Sequence, residues 1–179
     1  MKKVLILLLT AISLFLLASC SDKDKGAEAL IAYNNDKWVP INKSKNEKMD
    51  ELKSKLSKLE NEEKNQKATI LLEQEIIPLL DEIQQELKDV QPNHKNVKKL
   101  NKLEIEAEEV LKSQMKDVAA YYKGENVTEQ DIHKGNKKIK ETFQEVIDYR
   151  FKLIDDYNLE YVEDDESLGN LRNLKRKEE

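Results

Sequence analysis

The chain has 179 residues, of which 37% are charged, 39% hydrophobic and 6% aromatic, with only four Gly and three Pro. This length suits one domain, and so few turn residues exclude a β-sandwich or barrel and a collagen-like or Pro-rich coil. The formal charge of −5 excludes a general nucleic-acid binder, which needs a dominant basic surface.

The N-terminus carries an address. Lys2 and Lys3 precede an apolar run from Val4 to Leu17, broken only by Thr10 and Ser13, and the run ends in Leu17-Ala18-Ser19-Cys20. A basic start, a short apolar stretch and small residues before a cut site define a secretory signal. The run is shorter than the ~20 residues that span a bilayer comfortably. Leu17-Ala18-Ser19-Cys20 resembles the lipobox of bacterial lipoproteins. The resemblance implies that residues 1–19 are removed and that the Cys20 thiol carries diacylglycerol. It also implies location at the extracytoplasmic face of the cell membrane. Stable anchoring takes more than one acyl chain, which a lipoprotein cysteine such as Cys20 supplies. Cys20 is the only cysteine, so no intramolecular disulfide forms. Loss of Lys2 and Lys3 takes the formal charge from −5 to −7.

Residues 20–44 read as a lipidated tether. Ser21 to Gly26 is polar, Ala27 to Tyr33 suits a short helix, Asn34-Asn35-Asp36 reads as its stop, and Trp38-Val39-Pro40-Ile41 reads as extended. The only Trp has three readings here: a cap folded onto the bundle, an interfacial anchor or a partner contact.

Residues 45–162 read as an all-α, elongated antiparallel bundle of three long helices. Met49, Leu52, Leu56 and Leu59 step by three and four, and the stripe resumes at Ile70, Ile76, Ile77, Leu80, Ile83, Leu87 and Val90. One helix over 45–90, kinked near Pro78, is preferred to two helices broken near 61–67, because no Gly or Pro lies between Ile41 and Pro78. Gln91-Pro92-Asn93-His94 is a turn. The second helix, 94–123, carries Val97, Leu100, Leu103 or Glu104, Ala107, Leu111 and Met115, and stops at Gly124. Thr128 and Asp131 form a capping box for the third, 128–159, whose stripe includes Phe143, Val146, Arg150 and Ile154. Residues 163–179 are nearly all polar and read as a disordered charged tail.

No phosphate loop, GxSxG, HExxH or CxxC is present. His94 and His133 open successive antiparallel helices, about 45 Å apart by helix rise, too far to share a metal. No ExxH accompanies the abundant carboxylates. No cofactor, metal or catalytic residue is therefore expected. Two lysine clusters remain, Lys95, Lys98, Lys99 and Lys102, and Lys134, Lys137, Lys138 and Lys140. Each opposes the dipole at a helix start. The plain reading is cross-helix pairing, the first cluster with Asp155, Asp156 and Glu160. The sharper reading is a patch for wall-polymer phosphates or an acidic partner. Tyr149 and Phe151 flank Arg150 and cannot all face one core, which makes 149–161 the expected partner face.

A lipobox on a charged helical body, with a Pro-containing turn and a late helix opened by Thr128-Glu129, resembles the cell-wall-binding lipoprotein family of low-GC Gram-positive bacteria. The resemblance implies a membrane-anchored, non-enzymatic module that binds the cell wall or a protein partner. Modulation or occlusion of a membrane transport, secretion or DNA-uptake machine is the alternative. Pairing into a homo-oligomer is open as well, since a narrow amphipathic bundle gains core by association.

Overall fold

The computed structural model describes residues 22–57, 64–162 and 171–178. The expected signal segment, 1–19, and Cys20 lie outside the described residues. The protein is mainly helical. Helix α1 (residues 22–33) passes through a π turn at Asn34–Trp38 into α2 (Val39–Ser57). Next come α3 (Lys64–Leu71), a second π turn at Leu72–Ile76, α4 (Ile77–Asp89), α5 (Lys95–Tyr122) and α6 (Glu129–Asp156). Strands β1 (Leu159–Tyr161) and β2 (Leu174–Arg176) form a small antiparallel pair, with Leu159 opposite Arg176 and Tyr161 opposite Leu174.

Trp38 to Ile41 is helical rather than extended, and the reason lies in the π turns. Val39 N–H bonds to Asn34 O and Ile77 N–H to Leu72 O, each five residues back. Pro40 and Pro78 follow immediately. A proline ring crowds the carbonyl four residues earlier and supplies no N–H. The wider π turn makes room for the ring, so neither proline ends its helix. The disturbance expected near Pro78 takes this form.

The preferred single helix over 45–90 is incorrect, and with it the count of three long helices. Lys48 Nζ lies 3.0 Å from Glu82 and Lys55 Nζ 2.7 Å from Glu75. In one straight helix residues 48 and 82 would stand about 50 Å apart. The pairs instead set α2 antiparallel to α4. Residues 48–55 and 75–82 thus run in opposite directions, although no Gly or Pro lies between Ile41 and Pro78. Cross-helix contacts order the rods. Tyr33 to Asn101 and Lys45 to Glu108 run α1–α2 in the direction of α5. Lys112 to Asp81 sets α5 against α4, and Arg150 to Glu104 sets α6 against α5. Four rods result, up, down, up and down.

Helix α5 is central because it faces two cores. One joins Ala27, Leu30 and Tyr33 of α1 to Leu100, Leu153, Ile154, Leu159 and Leu174. The other joins Ile41 and Leu52 of α2 to Leu72, Leu80, Ile83 and Leu87. His94 caps α5 by accepting from Asn96 N–H, and Gly124, at φ 74°, follows its end. Thr128 and Asp131 complete the capping box of α6.

Both expected flexible ends are ordered where described. Residues 22–44 are helical and bury Ala27, Leu30, Tyr33, Val39 and Ile41. Of the expected disordered tail, 163–170 lies outside the described residues, whereas 171–178 is held and Leu174 is 2% exposed. The two ends fix each other. Asn35 accepts from Leu174 N–H at 2.8 Å and donates to Leu174 O at 2.9 Å, as a neighbouring strand would. Asn34 donates to Arg172 O at 2.9 Å, and Arg176 pairs with Asp24 at 2.8 Å. Composition misled because two leucines in a polar stretch, Leu171 and Leu174, carry the burial. Leu174→Ala is expected to lower the unfolding free energy by about 2–4 kcal/mol in urea denaturation; a disordered tail would show a change below about 0.5 kcal/mol.

Candidate functional site

The site is built around Arg150. On α6 the buried side chains are Val146, Arg150, Leu153 and Ile154, so a charge occupies a core position. Arg150 is 5% exposed. Nη1 donates to Asn34 Oδ1 and Nη2 to Glu104 Oε1, each at 2.7 Å. The guanidinium carbon lies 3.7 Å from the Trp38 ring centroid. A planar fork with five donors suits this task and lysine does not. The single group therefore joins α6, α5 and the first π turn. Beside it, Tyr33 Oη donates to Asn101 Oδ1 at 3.0 Å, and Asn101 Nδ2 donates to Leu87 O at 2.9 Å. Burial, then the Glu104 charge, push the Tyr33 phenol well above its ordinary range.

Over the guanidinium lies a cleft of about 600 Å³, lined by Trp38, Phe143, Ile147, Phe151, Tyr161 and Leu171 among others. Phe143, Ile147 and Phe151 recur every four residues on α6, one stripe of a helix face. Ile147 is 43% and Phe151 52% exposed. Phe151 meets Tyr161 edge-on at 6.4 Å. Glu104 and Arg150 form an ion pair at the base, so the cleft sets an apolar wall beside a buried charged pair. Among the described residues no group of three or more His, Cys, Asp or Glu is placed to hold a metal ion.

A second buried feature follows α5. Glu104, Glu108 and Lys112 succeed one another every four residues, all buried. Glu108 pairs with Lys45 of α2. Lys112 bonds Asp81, Gln84 and Glu109 at 2.9–3.0 Å. Burial pushes the Glu108 carboxyl above its ordinary value against the pull of Lys45, and Glu104 adds to the rise. Lys112 is held above its ordinary value chiefly by its bond to Glu109.

The lysine clusters are not gathered into one patch. Lys95 approaches Asp22 at 3.6 Å, Lys102 approaches Glu106 at 3.4 Å, and Lys98 is exposed. Lys99 lies 4.6 Å from the Tyr149 ring centroid. Lys134 pairs with Asp131 and Lys137 with Glu141 along their own helix, and Lys138 is exposed. Of the expected partners, Asp156 pairs with Lys152 and Glu160 with Lys175. A groove of about 770 Å³ between α5 and α6 does hold Lys99, Lys137, Lys140 and Lys152, but Glu141, Glu145 and Asp148 alternate with them. Tyr149 is half-buried under Lys99, whereas Phe151 lines the cleft.

Sequence reasoning did not assemble Asn34, Trp38, Glu104 and Arg150. The available signal was two charges, Glu104 and Arg150, at stripe positions of neighbouring antiparallel helices. Among the described residues no helix is long and apolar enough to cross a membrane. Comparison with family models, curated proteins and solved structures gave no match to this chain.

The raised Glu108 value has a definite pH signature. A carboxyl held above its ordinary value of 4.5 in the fold stabilises the protein fully below that pH. Its contribution is lost as pH rises through the folded-state value. The stability difference between the native chain and Glu108→Gln should therefore shrink from pH 4.5 to pH 7 in urea titrations; a difference that grows with pH contradicts the assignment.

Proposed function

We propose that this chain is an exported lipoprotein, held at the extracytoplasmic face of the cell membrane by diacylglycerol on Cys20, whose helical body is a non-enzymatic binding module. The observation that carries the reading is Leu17-Ala18-Ser19-Cys20 at the end of a basic-then-apolar leader. The body supports it in one respect. Helix is present from Asp22, so Cys20 and Ser21 supply at most about 7 Å of leash. A protein on such a leash works at the membrane surface. Its longest rod, residues 22–57, reaches about 54 Å at helical rise.

The short leash favours a protein partner at the membrane over a distant wall polymer. A component of a transport, secretion or DNA-uptake machine fits that position. The cleft favours the same choice, because exposed aromatic and aliphatic side chains beside an arginine are the composition of protein-binding hot spots. The lysines, alternating with acids, give little support to a phosphate-rich polymer.

Cys20→Ala should release the protein from the membrane fraction, and the mass of the native mature chain should exceed that of residues 20–179 by diacylglycerol or more. Retention of the variant, or an unmodified Cys20, contradicts anchoring. A photo-cross-linker at Phe151 should capture a membrane protein in cells, and one at Lys138 should not; capture of wall glycan at Lys138 instead would overturn the choice of partner.

A further inference from the structure

The end of the body nearest Cys20 contains a donor with nothing to bond. His94 opens α5, and its side chain is 10% exposed. Nδ1 accepts from Asn96 N–H at 3.3 Å and lies 3.3 Å from Tyr157 Oη. Tyr157 Oη in turn accepts from Asn96 Nδ2 at 2.9 Å. Gly26 lets α1 close over this group, since a Cβ there would stand 2.5 Å from the Tyr157 ring. An imidazole whose Nδ1 accepts carries its proton on Nε2. That Nε2–H has no hydrogen-bond partner. The nearest anion, Asp22 Oδ1, stands 3.6 Å away, and Asp22 Oδ2 stands 3.6 Å from Lys95 Nζ, both beyond bonding distance.

Around these donors is a groove of about 520 Å³ lined by Asp22, Lys25, Glu28, Asn93, His94 and Lys95 among others. Glu28 is turned toward Arg176, at 3.7 Å. The groove adjoins the N-terminus of a 28-residue helix, whose free N–H groups and dipole favour an anion. An orphan donor, two lysines and a helix start thus converge, and the exposed Asp22 side chain fills the place only loosely. We infer that this groove binds the phosphate of an anionic phospholipid headgroup. The lipid source rests on the anchor proposed above, since Asp22 follows Cys20 by two residues. Asp22 swings aside, Nε2–H of His94 and Nζ of Lys95 take phosphate oxygens, and the rods stand on this end.

The test uses the full chain in non-ionic detergent, titrated separately with dihexanoyl phosphatidylglycerol and inorganic phosphate. Backbone amides of Lys95 and Asn96 are followed by NMR, with His133 at the far end of the body as internal reference. The lipid should shift Lys95 and Asn96 saturably, at least tenfold tighter than inorganic phosphate, and leave His133 unmoved. His94→Asn keeps an acceptor for the cap and removes the outer donor. It and Lys95→Ala should each weaken binding at least fivefold, with the amide shifts of residues remote from the groove unchanged, His133 among them. No saturable shift, or unweakened binding in His94→Asn, overturns the site, and equal affinity for inorganic phosphate overturns the headgroup assignment. None of these readouts needs the acyl chains, so failure of anchoring at Cys20, read by mass, is separate.

Discussion

One buried guanidinium sets the terms for half of this molecule. Arg150 is cut off from water, so its donors must bond within the protein, and a lone buried charge costs several kcal/mol. Glu104 supplies the compensating charge, Asn34 an acceptor and Trp38 a π face. Glu104 comes from α5, whereas Asn34 and Trp38 both come from the first π turn. Because the guanidinium is planar, all three must arrive in register, which fixes α5, α6 and the first π turn together. The same π turn carries Asn34 and Asn35, whose amides hold the 172–174 backbone. The ties that hold residues 172–174 against the first π turn therefore run through Asn34 to Arg150.

The other half is held differently. Its core is aliphatic, from Leu72 to Leu87, and α2 reaches it through few apolar groups, Ile41 and Leu52 among the buried ones. The balance is ionic: Lys45 with Glu108, Lys48 with Glu82, Lys55 with Glu75. Exposed pairs of this kind contribute about 0–1 kcal/mol each, whereas the Lys45–Glu108 pair is buried and breaking it is costly. Helix α5 reconciles the two halves by presenting Glu104, Glu108 and Lys112 at successive turns to different partners.

Much of this was legible from residue spacing. The turn at Gln91–His94, the stop at Gly124 and the capping box of Thr128 and Asp131 are local devices, and local devices can be read locally. What escaped was long-range. Asn34 and Asn35 read as a helix stop because their side chains compete with the backbone, yet here those amides satisfy strand-like groups about 138 residues away. Pro40 read as the centre of an extended segment because nothing in the sequence announces a π turn. The opposed directions of α2 and α4 are not announced by any Gly or Pro in residues 58–76. At the site, Tyr149, Arg150 and Phe151 were readable as unable to share one core face, and Phe151 is the exposed one of the three. The reading of Trp38 as a cap folded onto the bundle fits its packing against the core, but its contact with Arg150 exists only once α1 is docked.

Arg150 is the shared tie of the first π turn, α5, α6 and, through Asn34, the terminal hairpin. Amide hydrogen exchange on Arg150→Met tests that claim most directly. Protection should be lost across residues 27–34 and 174–176, with Leu80 and Ile83 of the aliphatic core keeping theirs. Protection retained at 174–176, or lost equally in both cores, would contradict it.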